Sequence, residues 1–254
     1  MILVGQADGM LNPQSGLESV ARLADNGFRM TLNRPPLLRY VAGTTATAGL
    51  LLISSGRLDY WQGWVFFAIN LLFVALTWLG LRGNPSLVAE RLRPGRGMRW
   101  WDKGYLLLST PLYLGSLVVA GIDAGRWHWS HPPKTLLYAA ALALFIIGQS
   151  LFLWAKTVNP FFSSVARIQT DRGQSVCREG PYRLCRHPGY LGGLLFGVPT
   201  PIILGSYWAF IPQVLAALLL VGRTFLEDGM LTRDLLWYAE YKEDVRSLLV
   251  PGLF

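Results

Sequence analysis

Long apolar runs without charged residues dominate the hydrophobic pattern of this chain. They lie at 37–53 (interrupted by Arg39), 61–81, 104–122, 135–155 and 189–222. A helix needs roughly 20 apolar residues to cross a hydrocarbon core of about 30 Å. Each of the first four runs therefore predicts one membrane-spanning helix.

The fifth run, 189–222, is too long for one crossing. Pro199, Pro201, Gly205 and Ser206 lie near its middle, where proline and glycine favour a break in the helix. We therefore predict a tight hairpin of two helices, at 189–204 and 206–222. The alternative is a single tilted helix with a long emergent end.

These elements predict an all-α integral membrane protein with about six transmembrane helices. Residues 1–36 form an N-terminal segment, in which 16–26 is interpreted as a short amphipathic helix on the membrane surface or as a disordered leader. Residues 37–155 carry the first four transmembrane helices. Residues 156–254 form the predicted catalytic region, which contains a cytoplasmic loop, the hairpin at 189–222 and a C-terminal helix.

The composition excludes several classes of protein. Hydrophobic residues make up 52% of the chain and charged residues 15%, against about 25% charged residues in soluble domains. A soluble globular enzyme, a disordered chain and a secreted disulfide scaffold are therefore excluded. The net charge of +8 is assigned to loop lysines and arginines near lipid headgroups, so no nucleic-acid partner is expected. The two cysteines give no recognised metal-site spacing, and no metal is predicted.

Basic and less basic loops alternate along the chain. The segments 82–103 and 156–188 each carry six Lys or Arg residues, whereas 56–60 and 123–134 carry one and two. The positive-inside rule then places the two basic loops, the N-terminus and the tail 223–254 on the cytoplasmic side.

The segment Arg186-His187-Pro188-Gly189-Tyr190 predicts an anion-binding helix start. Proline suits the first turn of a helix, so Arg186 and His187 stand at the N-terminal mouth of the fifth span, where exposed N–H groups attract anions. Arginine adds a planar fork that holds a carboxylate at two points. The alternative is plain positive-inside anchoring with His187 as a helix cap.

Arg223 and Glu227 are four residues apart and share one helix face at the end of the hairpin. A carboxylate beside apolar membrane helices has an unfavourable free energy unless it is paired or has a functional role. Glu227 is thus either in an ion pair with Arg223 or Arg186, or it grips an ammonium or hydroxyl group of a ligand. Asp228 is expected to be solvated. A tight hairpin brings this face close to Arg186 and His187.

Gly189, Gly193 and Gly197 recur every four residues in the first arm of the hairpin. Such a stripe either permits close helix packing in the membrane or leaves room for a ligand. Both interpretations stay open from the sequence.

Several motifs together resemble the isoprenylcysteine carboxyl methyltransferase family, and more closely its bacterial members. The resemblance covers about 80–254 and rests on Asn84-Pro85 with Ala89-Glu90-Arg91-Leu92-Arg93, Asn159-Pro160-Phe161-Phe162-Ser163, Arg167-Ile168-Gln169, Asp171-Arg172-Gly173, Gly180-Pro181-Tyr182-Arg183, Arg186-His187-Pro188-Gly189-Tyr190, Arg223 with Glu227-Asp228, and Tyr238-Ala239-Glu240-Tyr241. The chain departs from the family at Asp228, where a second Glu is usual, and at Trp237, where a glycine is common.

The resemblance implies an integral membrane methyltransferase that uses S-adenosylmethionine (SAM), in a bacterial inner membrane with both termini cytoplasmic. Its cofactor-binding residues would be Tyr182, Arg186, His187, Pro188, Tyr190, Glu227 and Tyr241. Its catalytic residues would be Arg223, Glu227 and Asn159, with Arg223 and Asn159 facing the acceptor. The expected partners are a lipophilic or prenylated acceptor and membrane lipids, with no obligate protein partner.

The chemistry of methyl transfer leaves the acceptor open. A carboxylate acceptor is already ionised near neutral pH and needs no general base, whereas an amine needs one, for which Glu227 and His187 are the candidates. We favour carboxylate methylation. The alternatives are N-methylation of a phospholipid or amine, an NADPH-dependent membrane reductase, and a scaffold without catalytic activity.

Overall fold

The computed structural model describes residues 35–83, 87, 90 and 97–252. The chain divides into two units, 1–35 and 36–254, and the second unit carries the membrane helices and the candidate site. The predicted surface helix at 16–26 lies outside the described residues. Within them the elements are helical and none is a β-strand; the α-helices are α1 (Pro35–Ser55), α2 (Trp61–Leu81), α3 (Trp100–Ala120), α4 (Thr135–Val158), α5 (Pro188–Gly197), α6 (Thr200–Ile203), α7 (Phe210–Asp234) and α8 (Tyr238–Asp244).

Four helical segments of the described chain are long and apolar enough to cross a membrane. They are α2, α3 with its continuation as a π-helix over Gly121–Trp127, α4 and α7. The helices predicted at 61–81, 104–122 and 135–155 are therefore confirmed as candidate membrane spans. The first predicted span corresponds to α1, whose apolar part, Tyr40–Ser55, is shorter than these four segments.

The predicted break in the fifth run is confirmed, but its first arm is not one helix. The α5 helix ends at Gly197, and the short α6 follows at Thr200–Ile203. Pro201 explains the interruption, because a proline ring clashes with the carbonyl four residues earlier, here that of Gly197. With ten residues, α5 is about 15 Å long, so the prediction of a single helix over 189–204 was wrong. The second arm, α7, runs past 222 to Asp234.

Close packing of α5 against α4 depends on two glycines outside the predicted stripe. A Cβ atom on Gly148 would lie 2.5 Å from the backbone N of Phe196, and one on Gly192 would lie 2.7 Å from the backbone N of Phe152. The backbones of the two helices therefore approach each other at positions where no side chain fits.

The turn between α6 and α7 is hydrogen-bonded to the π-helix that continues α3. Asp123 is fully buried, and its carboxylate accepts hydrogen bonds from the Ser206 hydroxyl (2.6 Å) and the Ser130 backbone N–H (2.8 Å). Tyr60 donates its hydroxyl to the Leu204 carbonyl. These bonds fix the hairpin end and thereby the relative position of α5 and α7.

Candidate functional site

Two cavities lie next to each other where α5 leaves the long polar loop. The first, here called the loop cavity, is formed by the loop 159–187, the start of α5, the second half of α7 and α8, and encloses about 760 Å³ of empty space that is partly open to solvent. Of the predicted site residues, those that line it are Asn159, Tyr182, Arg186, His187, Tyr190, Glu227 and Tyr241. Pro188 is the first residue of α5 beside them.

The second cavity, here called the helix cavity, lies between α3, α5 and α7 and contains about 950 Å³ of empty space. Its lining is mainly apolar and includes Gly193, Gly197 and Leu220. Arg223 lines this cavity and not the first, whereas Gly189 and Tyr190 line both. The glycine stripe thus faces a cavity, and Tyr190 stands where the two cavities meet.

Asp228 is the centre of a buried polar cluster at the loop cavity. It is 5% exposed, and its carboxylate lies 2.8 Å from Arg186 Nε, 2.9 Å from the Tyr238 hydroxyl, 2.9 Å from Lys242 Nζ and 3.4 Å from His187 Nε2. The expectation that Asp228 is solvated was wrong. The reason is that α7 continues beyond 222 and turns this residue against α8 and the start of α5.

Arg186 holds the C-terminal segment against the start of α5. Its Nη1 donates to the carbonyls of Val245 (2.8 Å) and Arg246 (2.6 Å), and its backbone N–H donates to the Ser247 carbonyl (3.0 Å). A carboxylate therefore does occupy the guanidinium fork, but that carboxylate belongs to Asp228. Arg186, which the sequence predicted to bind an anionic ligand, therefore donates most of its hydrogen bonds to groups of the protein itself.

The first turn of α5 presents an aromatic stack to both cavities. His187 is the N-cap residue and Pro188 follows at the first helical position, as the sequence predicted. The His187 and Tyr190 rings stack at 5.5 Å with an interplanar angle of 1°. The Tyr190 hydroxyl donates to the Glu227 carboxylate, so Tyr190 joins the helix start to α7.

Arg223 does not form a salt bridge with Glu227, which was one of the two alternatives that the sequence left open for this carboxylate. Its Nε donates to Asp102 Oδ1 at 2.7 Å, and its Nη2 donates to the Ser164 carbonyl at 3.2 Å. The guanidinium carbon lies 4.6 Å from the centre of the Tyr105 ring and 5.2 Å from that of Tyr190. A buried cation is thus placed between aromatic faces at the junction of the cavities.

Asp102 is the site residue that sequence reasoning missed. It is fully buried in the first turn of α3 and also accepts a hydrogen bond from the Ala166 backbone N–H at 2.7 Å. In the sequence Asp102 is one acidic residue at the end of the basic segment 82–103. Its position one turn before an apolar span was the available signal, because an acid there needs a buried partner.

The charged residues that line the loop cavity are Arg167, Arg186 and Glu227. Arg167 pairs with Glu90 (2.6 Å) and Asp171 (2.8 Å), and Arg186 shares Asp228 with Lys242. Glu227 makes no salt bridge within the described part of the chain, and its neighbour Tyr190 is neutral. The loop cavity is therefore suited to a ligand that carries positive charge.

Burial keeps the tyrosine hydroxyls and the Cys177 thiol of the loop cavity protonated. It raises the pKa of Tyr182 and of Tyr241 well above the ordinary value of a phenol, and the Tyr241 hydroxyl donates to the Tyr182 carbonyl at 2.6 Å. It likewise raises the pKa of Cys177, and that of Cys185 to about 11. The lining thus offers neutral aromatic faces rather than phenolate or thiolate nucleophiles.

An apolar cavity among the candidate membrane helices thus meets a polar cavity whose lining carboxylate, Glu227, forms no salt bridge with the described residues. Residues 141–233 match the model of the isoprenylcysteine carboxyl methyltransferase (ICMT) family. Members of this family are SAM-dependent carboxyl O-methyltransferases. No curated protein matches the chain. The match is narrower than the resemblance over 80–254, and Tyr238 and Tyr241 lie outside it.

The loop cavity fits SAM by the chemistry of its lining. SAM carries an ammonium, a sulfonium, a carboxylate and an adenine ring. Glu227 supplies a carboxylate for a cationic group, and Tyr182, Tyr190 and Tyr241 supply aromatic faces for the sulfonium or the adenine.

Proposed function

We propose that this protein methylates the carboxylate of an isoprenylcysteine-like or other lipophilic acceptor. SAM is bound in the loop cavity and the acceptor in the helix cavity. The observation that carries the proposal is the pairing of these cavities, one polar and one apolar, which share Gly189 and Tyr190.

On the cofactor side, Glu227, His187 and the tyrosine rings hold and orient the ligand. When bound, SAM supplies an electrophilic methyl group beside its cationic sulfur. Glu227 is linked to Tyr190, so the carboxylate that holds the cationic ligand is fixed at the junction with the second cavity. Asn159 lines the loop cavity rather than the helix cavity, which supports a place for it beside the cofactor rather than facing the acceptor.

On the acceptor side, Arg223 receives the carboxylate to be methylated. An arginine has five N–H donors in a planar fork, and Asp102 and Ser164 engage Arg223 through Nε and one of the two Nη atoms. The remaining donors are available for a second carboxylate at the mouth of the helix cavity. The apolar tail of the acceptor then lies along Gly193, Gly197 and Leu220.

The transfer itself needs no general base. A carboxylate acceptor is ionised at neutral pH, so the protein contributes alignment of the two reactants and the removal of water from them. The two cavities meet at one aromatic ring, which supports a direct in-line transfer. The basic loop 156–188 is expected on the cytoplasmic side by its charge, where SAM is available.

Calorimetric binding of SAM, and separately of NADPH, to the detergent-purified protein tests the reaction class. We expect saturable binding of SAM, none of NADPH, and transfer of labelled methyl from SAM to a prenylated thioether carboxylic acid. NADPH binding in place of SAM would replace the methyltransferase proposal with the reductase. Transfer to an amphiphilic amine but not to the acid would assign N-methylation instead.

A further inference from the structure

The helix cavity contains a polar group at its inner end, far from Arg223. Gln213 lies on α7, ten residues before Arg223, which corresponds to about 15 Å along the helix. Its side chain lines the helix cavity. The apolar cavity therefore has a cation at one end and an amide at the other.

This amide is buried and incompletely satisfied. Gln213 is 5% exposed, and its Oε1 atom is buried without a hydrogen-bond partner among the described residues. Its Nε2 atom lies 3.0 Å from the position that a Cβ atom on Gly197 would take. The absence of a side chain at Gly197 thus leaves room for the amide beside α5.

An unsatisfied buried amide is costly. A buried acceptor without a donor has lost its hydrogen bonds to water and gained none in return, whereas an apolar group of the same shape is nearly neutral. A leucine would therefore fill the position of Gln213 at least as well in a purely structural role. The geometry favours a ligand that supplies the missing hydrogen-bond donor.

We propose that Gln213 determines specificity for the acceptor by binding a hydroxyl group near the far end of its chain. This inference rests on the proposed use of the helix cavity for the acceptor. The ligand is then an amphiphile with two polar ends, namely a carboxylate at Arg223 and a hydroxyl that donates to Gln213 Oε1. A chain with a purely hydrocarbon end leaves the amide unpaired.

A pair of matched ligands tests the proposal by calorimetric binding. Dodecylthiopropionic acid and its ω-hydroxy counterpart differ only in the terminal hydroxyl. We expect the wild-type protein to bind the hydroxy acid roughly three- to tenfold more tightly, which corresponds to one hydrogen bond. In Gln213→Leu this preference should disappear or reverse, because the terminal hydroxyl then meets an apolar wall.

The matched control is Gln149→Leu. Gln149 lies on the membrane helix α4, does not line the helix cavity, and donates to Asn70 at 3.2 Å, so this variant should keep the wild-type preference. Gln213→Leu should unfold at the same temperature as the wild type or higher, which separates ligand recognition from folding.

Equal binding of the two acids by the wild type would overturn the proposal, since it would mean that water satisfies Gln213. The proposal would also be overturned if Gln213→Leu still bound the hydroxy acid more tightly than the plain acid. Methyl transfer is measured separately with labelled SAM. A hydroxyl preference without any transfer would remove the proposed methyltransferase function and leave the role of Gln213 intact.

Discussion

The loop cavity and the helix cavity share Tyr190 but are held open in different ways. The loop cavity is framed by many polar bonds; Gln169, for example, is 1% exposed and donates its Nε2 to the Phe161 carbonyl at 2.7 Å. The helix cavity depends mainly on missing side chains, at Gly193 and Gly197. A polar cavity needs every buried group satisfied, whereas an apolar cavity needs only the helices to be spaced correctly.

This difference predicts where each cavity is vulnerable. Changes to the polar framework should affect cofactor binding, and changes along α5 and α7 should affect the acceptor. The junction belongs to both, because the Asp102–Arg223 pair ties α3 to α7 beside Tyr190. Substitution of a residue at the junction should therefore have the largest effect on the protein. Substitution of a single ligand-binding residue elsewhere should have a smaller effect.

Asp102→Ala should be the most damaging change. It leaves Arg223 buried without its carboxylate, and breaking a buried ion pair in this way costs about 3–5 kcal/mol of stability. Thermal unfolding of the detergent-solubilised protein measures the loss. The control is Asp59→Ala, which removes the exposed partner of Arg57 and should change the unfolding temperature little.

The double variant Asp102→Ala/Arg223→Leu identifies the cause. It should regain most of the lost stability, because no unpaired charge remains, yet it should not methylate the acceptor. If Asp102→Ala were no more harmful than Asp59→Ala, the junction would not be the vulnerable point.

Glu227→Gln should weaken SAM binding roughly tenfold to a hundredfold, because a charge-assisted hydrogen bond contributes about 1.5–3 kcal/mol. The affinity for dodecylthiopropionic acid should change little, which separates the two cavities. Calorimetry with each ligand measures both effects. Glu240→Gln is the matched control, since Glu240 lies exposed on α8 and pairs with Arg178; an equal loss of SAM affinity in both variants would contradict the role given to Glu227.

The rate of alkylation of Cys177, which lines the loop cavity, should report whether that cavity is occupied. Burial raises the pKa of this thiol, so its thiolate fraction at neutral pH is below that of an exposed cysteine, and its labelling rate should increase with pH through and above the ordinary range. Bound SAM should slow the labelling severalfold. Mass spectrometry measures the rate, and Cys185, which is 2% exposed, should react more slowly still. Fast labelling at neutral pH that SAM does not change would place Cys177 outside the cofactor site.

The long spans could be predicted from the sequence because a charge-free apolar run has few alternatives to a helix. The bounds of α2 coincide with the run 61–81, and the break near Pro199 and Gly205 followed from the known effect of these residues on helices. The sequence analysis predicted one helix over 189–204 and so missed the interruption between α5 and α6. The ring of Pro201 clashes with the carbonyl four residues earlier, that of Gly197, so the helix ends there. These features depend on local covalent geometry and on the need of backbone N–H and C=O groups in a bilayer to form hydrogen bonds within the protein.

The partners of the charged site residues could not be predicted in this way. Sequence spacing allowed an ion pair of Arg223 with Glu227 and left Asp228 in solvent. Instead, α7 presents Asp228 to Arg186 and turns Arg223 toward Asp102, which is 121 residues away. The sequence alone thus determined that the chain is a helical membrane protein and which polar segments carry its chemistry. Only the tertiary structure decided which charged residues form ion pairs and that Glu227 has no salt bridge among the described residues. It also decided that Tyr190 lies between two cavities. Each of these features depends on how helices that are distant in the sequence pack together.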